Sequence, residues 1–329
     1  MNWTGKRVLV TGAGGFIGSH LAEALVEAGA RVKAMIRYSG KADWGNLEYM
    51  PADRKAALEV VAGNVEDPHF TIRAAEGQEV IFHLAALITI PFSYVAPTSY
   101  VRTNVEGTLN VLEAARIHRT PRVVHTSTSE TYGTAHYTPI DEKHPIHAQS
   151  PYAASKIGAD KIAESYWRAF QVPVATLRPF NAYGPRQSAR AVIPTVIAQA
   201  LARDEVRLGE LRPIRDLTFV RDTVAAYLAI AACDAAVGET VNAGTGKGMP
   251  IGDLARLILS LMDREMPIVS EKERMRPETS EVFELVCDNR KAAALMGWSP
   301  KVSLRDGLRK TIDFVERHLD LFKPEIYGR

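Results

Sequence analysis

Apolar positions in the first half of the chain switch between two periods. Short β-rich runs fall at Arg7–Thr11, Arg31–Ile36, Ala57–Ala62, Val80–Ala85, Arg122–Ser127 and Val174–Arg178. Between them the spacing lengthens to that of a helix. In Ile17–Ala28 the residues Ile17, Leu21, Leu25 and Ala28 share one face. Such β–α alternation predicts an α/β fold, a Rossmann-type doubly wound parallel sheet with helices on both sides. Tyr100–His118 and Pro151–Phe170 read as long helices with apolar and small residues. They would suit a homodimer interface as well as packing on the sheet. After Asn181 the chain becomes richer in loops, with helices expected at Val192–Arg203, Val220–Cys233, Ile251–Met262 and Ser303–Leu319. The expected division is a dinucleotide-binding domain from 1–180 plus about 215–242, and a smaller, discontinuous α/β region from 181–214 and 243–329. The second region should close over the carboxyl ends of the strands.

Composition narrows the function classes. The 329 residues are 46% hydrophobic and 24% charged, which suits a globular protein with a sizeable core. Net charge is +2, without a long Lys/Arg run, so neither nucleic acid nor an anionic membrane is an expected partner. The apolar stretch at the start is too short for a signal peptide, and the richest run, Val80–Ile90, is interrupted by His83. The two cysteines, Cys233 and Cys287, make no metal-type spacing. The expectation is a cytoplasmic protein with reduced core thiols and no metal.

A glycine-rich turn brings in the first chemistry. Gly12-x-x-Gly15-x-x-Gly18 follows a predicted strand and opens a predicted helix. Glycines there permit a tight turn and a close backbone approach to a pyrophosphate, whose charge meets the helix N-terminus. The next strand ends in Arg37 instead of an acid, which leans from NAD towards NADP because an Arg can pair with a 2′-phosphate. Asn64, after the third strand, should lie at the adenine edge. His83 should anchor backbone near the pyrophosphate. Gly244-Thr-Gly-Lys247-Gly248 imitates a phosphate loop, but Val241 stands where the first glycine belongs and Gly248 replaces the Ser/Thr. It should be a plain loop. His136, His144 and His147 lack metal spacing and read as a solvated loop.

Tyr152 and Lys156 are four residues apart, hence one turn apart on one helix face. An ammonium at about 4 Å, with an effective dielectric of ~20, favours phenolate by about 4 kcal/mol, enough to bring a phenol from about 10 towards 7. The tyrosine would then serve as a base. Thr128-Ser129-Glu130 lies upstream.

These motifs, with Asn104 in Arg-Thr-Asn-Val-Glu-Gly-Thr and Arg178-Pro-Phe-Asn181-x-Tyr-Gly-Pro-Arg186, resemble the extended short-chain dehydrogenases over essentially the whole chain. That family comprises nucleotide-sugar epimerases, dehydratases and decarboxylases. Within it, His125–Gly133, Pro139–Pro145, Gln149–Asp160 and Gly184–Thr195 look closest to the N-acetylhexosamine 4,6-dehydratases of the legionaminic-acid pathway. The resemblance implies a recycled NAD or NADP held by Gly12, Gly15, Phe16, Ile17, Gly18, Arg37, Asn64, Val65, Leu84, Ala85, Ala86, Asn104, Tyr152, Lys156 and Pro179. It implies a nucleotide-diphosphate sugar held by Thr128, Asn181, Arg190, Val192, Pro194, Arg215 and Arg276. Tyr152 would take the C4 hydroxyl proton, with Thr128 on the same oxygen and Lys156 on the phenolate and the ribose. Glu130 would remove the C5 proton. The chain departs from the Thr-Asp-Glu of glucose-type dehydratases at Ser129, a poor general acid. Thr-Ser-Glu also occurs in UDP-glucuronate decarboxylases; a 4-epimerase would need only Thr128, Tyr152 and Lys156. A non-catalytic nucleotide-sensing protein on this fold would be expected to have lost the Tyr–Lys pair.

Overall fold

In the computed structural model, which describes residues 1–322, seven parallel strands form one sheet. They are β1 (Arg7–Thr11), β2 (Arg31–Ile36), β3 (Glu59–Ala62), β4 (Val80–His83), β5 (Arg122–Thr126), β6 (Val174–Pro179) and β7 (Thr240–Ala243). The order across the sheet is β7-β6-β5-β4-β1-β2-β3. The direction of winding reverses between β1 and β4, which places a cleft at the carboxyl ends there. Six strands match the predicted runs to within two residues. β7 was not anticipated, because Thr-Val-Asn-Ala is short and follows a helix that reads more strongly. Apolar side chains on both faces explain why the strands read as near-continuous apolar runs.

The helix Phe16–Glu27 follows β1 and buries Leu21 and Leu25. Pro151–Phe170 forms as expected. Ser150 caps it by accepting from the Ala153 amide (3.1 Å), Pro151 occupies its first turn, and Gln171 ends it at φ +57. The expected single helix Tyr100–His118 is divided into Pro97–Tyr100, a wider π-helical stretch Val101–Glu106, and Gly107–Ile117. The wide turn carries Asn104 inward, and its amide fastens two other segments, as shown below.

A second core gathers Ile193, Val196 and Ile197 of the helix Val192–Ala202 with Leu254 and Ile258 of Ile251–Leu261 and Leu308, Ile312 and Val315 of Leu304–Arg317. Beside it, Ile214–Asp216 pairs antiparallel with Gly248–Pro250 and parallel with Glu284–Leu285. The helix Val220–Ala232 instead packs on the main sheet through Val224, Tyr227 and Ile230. Ala292 and Trp298 join that first core too. The Trp298 indole donates to the Asp222 carbonyl (3.0 Å), which ties the two together.

One clasp links the Gly184–Arg186 loop to the N-terminal half. Arg186, at φ +67, pairs with Glu23 (2.7 Å) and donates to the Tyr49 carbonyl (3.0 Å). His20 Nε2 lies 2.9 Å from the Pro185 carbonyl, and burial, helped by the Arg186 charge, lowers its pKa to about 4. A histidine whose folded pKa is depressed contributes stability that is present above its unfolded value, near 6.5, and lost as pH falls towards 4. We predict that wild-type unfolding free energy drops by up to about 3 kcal/mol more than that of His20→Gln over this window. Urea titrations at pH 7, 5.5 and 4.5 measure the difference; parallel curves for the two proteins would reject the assignment.

Candidate active site

The glycine turn forms between β1 and the helix Phe16–Glu27. Gly12 has φ +70, a conformation other residues adopt only under strain. A side chain on Gly18 would collide with the Gly12 carbonyl, so the turn can close only over glycine. The helix that follows has no side-chain cap at Gly15 and no acid in its first turn, so its amides and dipole are left for an anion. A dinucleotide pyrophosphate fits that cradle. Phe16 and Ile17 form its first turn, with Leu84, Ala85 and Ala86 half-buried beyond β4 and Pro179 closing β6. Arg37 and Asn64 are exposed at the ends of β2 and β3, and Val65 is buried. By contrast, the Gly244–Gly248 loop is no phosphate cradle. The buried Asp216 carboxylate already accepts from the Thr245 and Gly246 amides (2.8 Å each) and the Cys287 amide (3.1 Å).

Behind the cradle runs a buried polar row. His83 reaches Thr11 Oγ1 (2.9 Å) and Thr108 Oγ1 (3.0 Å), while Thr11 Oγ1 accepts from the Leu84 and Ala85 amides. The histidine therefore positions backbone through two hydroxyls and touches none directly. Asn104, expected as a cofactor contact, is 1% exposed, and both its donors are spent inside the protein. It donates to the Leu87 carbonyl (3.0 Å) and Ser155 Oγ (2.9 Å) and accepts from the Leu87 amide (2.9 Å). Its role is to fasten the loop after β4 to the helix Pro151–Phe170.

Tyr152 and Lys156 share one face of that helix and are both buried. The expected lowering of the tyrosine by the lysine is not what the geometry gives. Burial pushes the Tyr152 phenol well up, with a hydrogen bond from Thr128 opposing and the Glu130 charge adding to the rise. Lys156 Nζ donates to the Thr126 carbonyl (2.6 Å), and burial brings its pKa down to about 8. Helix periodicity placed the pair correctly, but a neighbouring strand carbonyl captured the ammonium.

Thr128 is the cap of a one-turn helix, Ser129–Tyr132, and accepts from the Glu130 amide (3.3 Å). Ser129 is 2% exposed, whereas Glu130 is half-buried and its charge acts on both Tyr152 and Arg215. Arg215 and Arg276 converge on Glu281, at 3.4 Å and 3.6 Å. Burial pulls the Arg215 guanidinium down, and the Glu130 and Glu281 carboxylates oppose that. Asn181 Oδ1 is buried without a partner among the described residues. Arg190 is exposed; its charge is felt at Tyr100, whose ring meets Tyr152 edge-on with centroids 6.2 Å apart. Val192 and Pro194 begin the helix Val192–Ala202, Pro194 buried and Val192 half-buried. Of the three histidines expected on a solvated loop, His136 and His147 are exposed but His144 is 2% exposed, held by the His136 amide (2.9 Å) and the Pro145 carbonyl (2.8 Å). Both thiols are free; Cys287 is buried and Cys233 only partly so.

The sequence reading missed Glu281, which no motif flags. It also missed the strap around it. Ser280 Oγ donates to the Gln149 carbonyl (2.5 Å) and lies 2.5 Å from Tyr94 OH, and Gln149 Nε2 donates to the Thr279 carbonyl (3.1 Å). The strap thus ties the segment that bears Arg276 and Glu281 to Gln149, just before the helix that carries Tyr152. A phenol, a hydroxyl, a carboxylate and paired guanidiniums around one cleft can move protons at adjacent carbons of a substrate anchored by anionic groups. Among the described residues no His/Cys/Asp/Glu group could hold a metal ion, and no helix is long and apolar enough to cross a membrane.

The family model described as GDP-mannose 4,6 dehydratase matches residues 9–311. A UDP-glucose 4-epimerase of Mycolicibacterium smegmatis is 34% identical over 94% of this chain and 98% of its own. Among solved structures, DesIV, a dTDP-glucose 4,6-dehydratase of Streptomyces venezuelae with NAD and TYD bound, superimposes with a TM-score of 0.87 at 28% identity, covering 97% of this chain and 99% of that one. TunA, an NAD-dependent NDP-hexosamine 5,6-dehydratase, does so with a TM-score of 0.83 at 28% identity, covering 95% and 98%. With the glycine cradle and the Tyr152–Lys156 helix in place, these matches establish that the chain belongs to the NAD-dependent epimerase/dehydratase family of extended short-chain dehydrogenases.

Proposed function

We propose that the protein is a nucleotide-sugar 4,6-dehydratase that converts an NDP-N-acetylhexosamine, such as UDP- or GDP-GlcNAc, to its 4-keto-6-deoxy derivative. The observation that carries this reading is the half-buried carboxylate of Glu130, two residues beyond Thr128 and near enough for its charge to act on the Tyr152 phenol. Oxidation at C4 needs the tyrosine; elimination across C5 and C6 needs a second base beside it. TunA supports an amino sugar as the substrate class.

A nicotinamide dinucleotide held at the Gly12–Gly18 cradle would supply the hydride acceptor for oxidation at C4 and the hydride donor for C6. Tyr152 accepts the C4 hydroxyl proton, and Thr128 holds that oxygen in place. The ketone acidifies C5, from which Glu130 takes a proton. Ser129 is buried and a poor acid, so Glu130 hands that proton to the C6 hydroxyl as it departs as water. Solvent then supplies the proton that ends on C5 and receives the one held by Tyr152, so atoms and charge balance. Arg215 and Arg276 clamp the diphosphate, for which Glu281 keeps them aligned. Asn181 offers its free acceptor to the sugar or to a phosphate-bound water. NAD is the cofactor, as in DesIV and TunA; the lean towards NADP rests on Arg37 alone. Exposed Val101, Leu109 and Phe170 on the two long helical segments suit a homodimer.

A second reading, a 4-epimerase, draws on Ser129 and on the 34% identical epimerase. The assay separates them. With UDP- or GDP-GlcNAc, the product is expected to lose about 18 mass units and, made in heavy water, to carry deuterium at C5. Unchanged mass with an inverted C4 would sink the dehydratase, and loss of about 44 units from UDP-glucuronate would favour a decarboxylase. Mass analysis of material released on denaturation should find NAD. Tyr152→Phe is predicted to lower kcat by a factor on the order of 10²–10⁴ while leaving the melting curve in place. Arg215→Gln should weaken UDP binding by roughly tenfold or more, read by calorimetry, since it removes a charge-assisted contact.

A further inference from the structure

Three groups on three elements interact electrostatically with the buried Lys156 ammonium. They are His83 on β4, His125 on β5, and Asp160 one turn further along the lysine's own helix. Burial keeps both imidazoles neutral, which leaves Asp160 as the counter-charge. Its carboxylate is 8% exposed and fully engaged. His125 Nε2 lies 2.9 Å from Oδ1; Ser127 Oγ (2.5 Å) and Arg178 Nη2 (2.9 Å) donate to Oδ2. Arg178 continues the chain. It donates from Nε to Ser127 Oγ (3.1 Å) and from Nη1 to Tyr132 OH (2.7 Å), and its guanidinium stacks 4.7 Å from the Tyr132 ring centre. Tyr132 ends the turn that bears Ser129 and Glu130, and its hydroxyl donates to Asn242 Oδ1 on β7 (2.8 Å).

We propose that Asp160 is a positioning residue for both halves of the reacting centre. Its charge keeps Lys156 protonated where the Thr126 carbonyl seats it, and through Arg178 and Tyr132 it fixes the turn that presents Glu130. The proposal rests on Lys156 meeting the nicotinamide ribose, and it does not depend on which sugar is bound. Geometry favours it over a purely packing role. The carboxylate lies one helical turn from Lys156 and holds, through Ser127 and Arg178, the chain of contacts that ends on Tyr132 of the Glu130 turn. The electrostatics agree. Burial draws Lys156 to about 8, and the Asp160 charge opposes that fall, so without the carboxylate the lysine would lose its proton at a lower pH.

A cleft of about 200 Å³ gives independent access to the pair. It is lined by Asp160, Arg178, Thr176, Trp167, Glu142 and Thr240, among others, with exposed Lys161 and Ile146 at its rim. None of Thr128, Glu130, Tyr152 and Lys156 lines it. A small anion could therefore reach Arg178 without crossing the substrate site.

The test is NADH binding, followed by fluorescence from pH 6 to 9 in the cofactor-stripped protein. In wild type, affinity should fall as pH rises through about 8, where Lys156 loses its charge. In Asp160→Asn that fall should move down by roughly one pH unit or more, with about tenfold weaker binding at pH 7.5 and recovery at pH 6. Asp160→Glu should restore part of the wild-type profile. In Asp160→Ala, formate should recover affinity through the cleft where bulkier benzoate does not. A folded Asp160→Asn protein with an unmoved limb, or with affinity lowered equally at every pH, overturns the proposal. If Asp160→Asn does not fold, Asp160→Asn with Arg178→Gln, which strands no buried guanidinium, replaces it. Failure of that pair to fold also counts against the proposal, because the role would then be structural. A wild type that binds neither NADH nor NADPH sinks the cofactor reading and this proposal together; binding with an unmoved limb sinks only the latter.

Discussion

A sheet covered on both faces leaves no water for polar side chains at its carboxyl edge, and this constraint builds the site. Thr11, His83, His125, Ser127 and Arg178 are all buried there, from β1 to β6. A buried polar group without a partner costs about 1–3 kcal/mol, and breaking a buried ion pair about 3–5 kcal/mol. The solution is mutual satisfaction. Thr11 and Thr108 bracket His83, and Asp160 gathers His125, Ser127 and Arg178. The resulting layer is stiff, and it supports the groups that must face a substrate. The same desolvation governs Tyr152 and Lys156. It opposes charge on both, raising the phenol and lowering the ammonium, so Lys156 is brought towards neutral pH while Tyr152 stays protonated until a bound partner alters the local field.

The layer also explains what was legible in the sequence. Strand period, helix period and the glycine spacing are local properties, so six strands, the helix Pro151–Phe170 and the cradle at Gly12–Gly18 could be read directly. The Tyr152–Lys156 face was legible for the same reason. The lysine's partner was not, because Thr126 is thirty positions away and only the pairing of β5 with β6, under the helix, brings its carbonyl close. The partners of Asn104 were equally hidden: its amide is bonded to Leu87 and Ser155, which the wide turn in its helix brings within reach. Asp160 carried a usable signal, four residues beyond Lys156 and therefore on the same face.

In the second region, charge arrangement took over from periodicity. Asp216 and Arg215 are neighbours on one short strand and point their charges to opposite tasks. Asp216 ties down the Gly244–Gly248 loop, while Arg215 turns to Glu281 and Arg276. Glu281 offsets the repulsion between the two guanidiniums, and the Ser280 contacts with Gln149 and Tyr94 hold its segment in place. No sequence pattern signals such a carboxylate. It matters only because two arginines, more than sixty residues apart, end up sharing it.

The serine at position 129 is where these constraints bear on chemistry. In Thr-Asp-Glu the middle carboxylic acid would stand beside the C6 hydroxyl; here the middle side chain is turned into the protein and the last one outward. Elimination from C5 and C6 can proceed with one carboxyl group if that group visits both atoms, which requires the C5 hydrogen and the C6 oxygen on the same side. Glu130 has room for this because its carboxylate forms no ion pair within 4 Å among the described residues, although Arg215 feels its charge. The cost is that the proton cannot be stored for return to C5, so solvent must enter before the cycle closes. A tightly sealed cleft would forbid that. The strap, held by hydroxyl and amide contacts instead of an apolar plug, is consistent with a cleft that admits water.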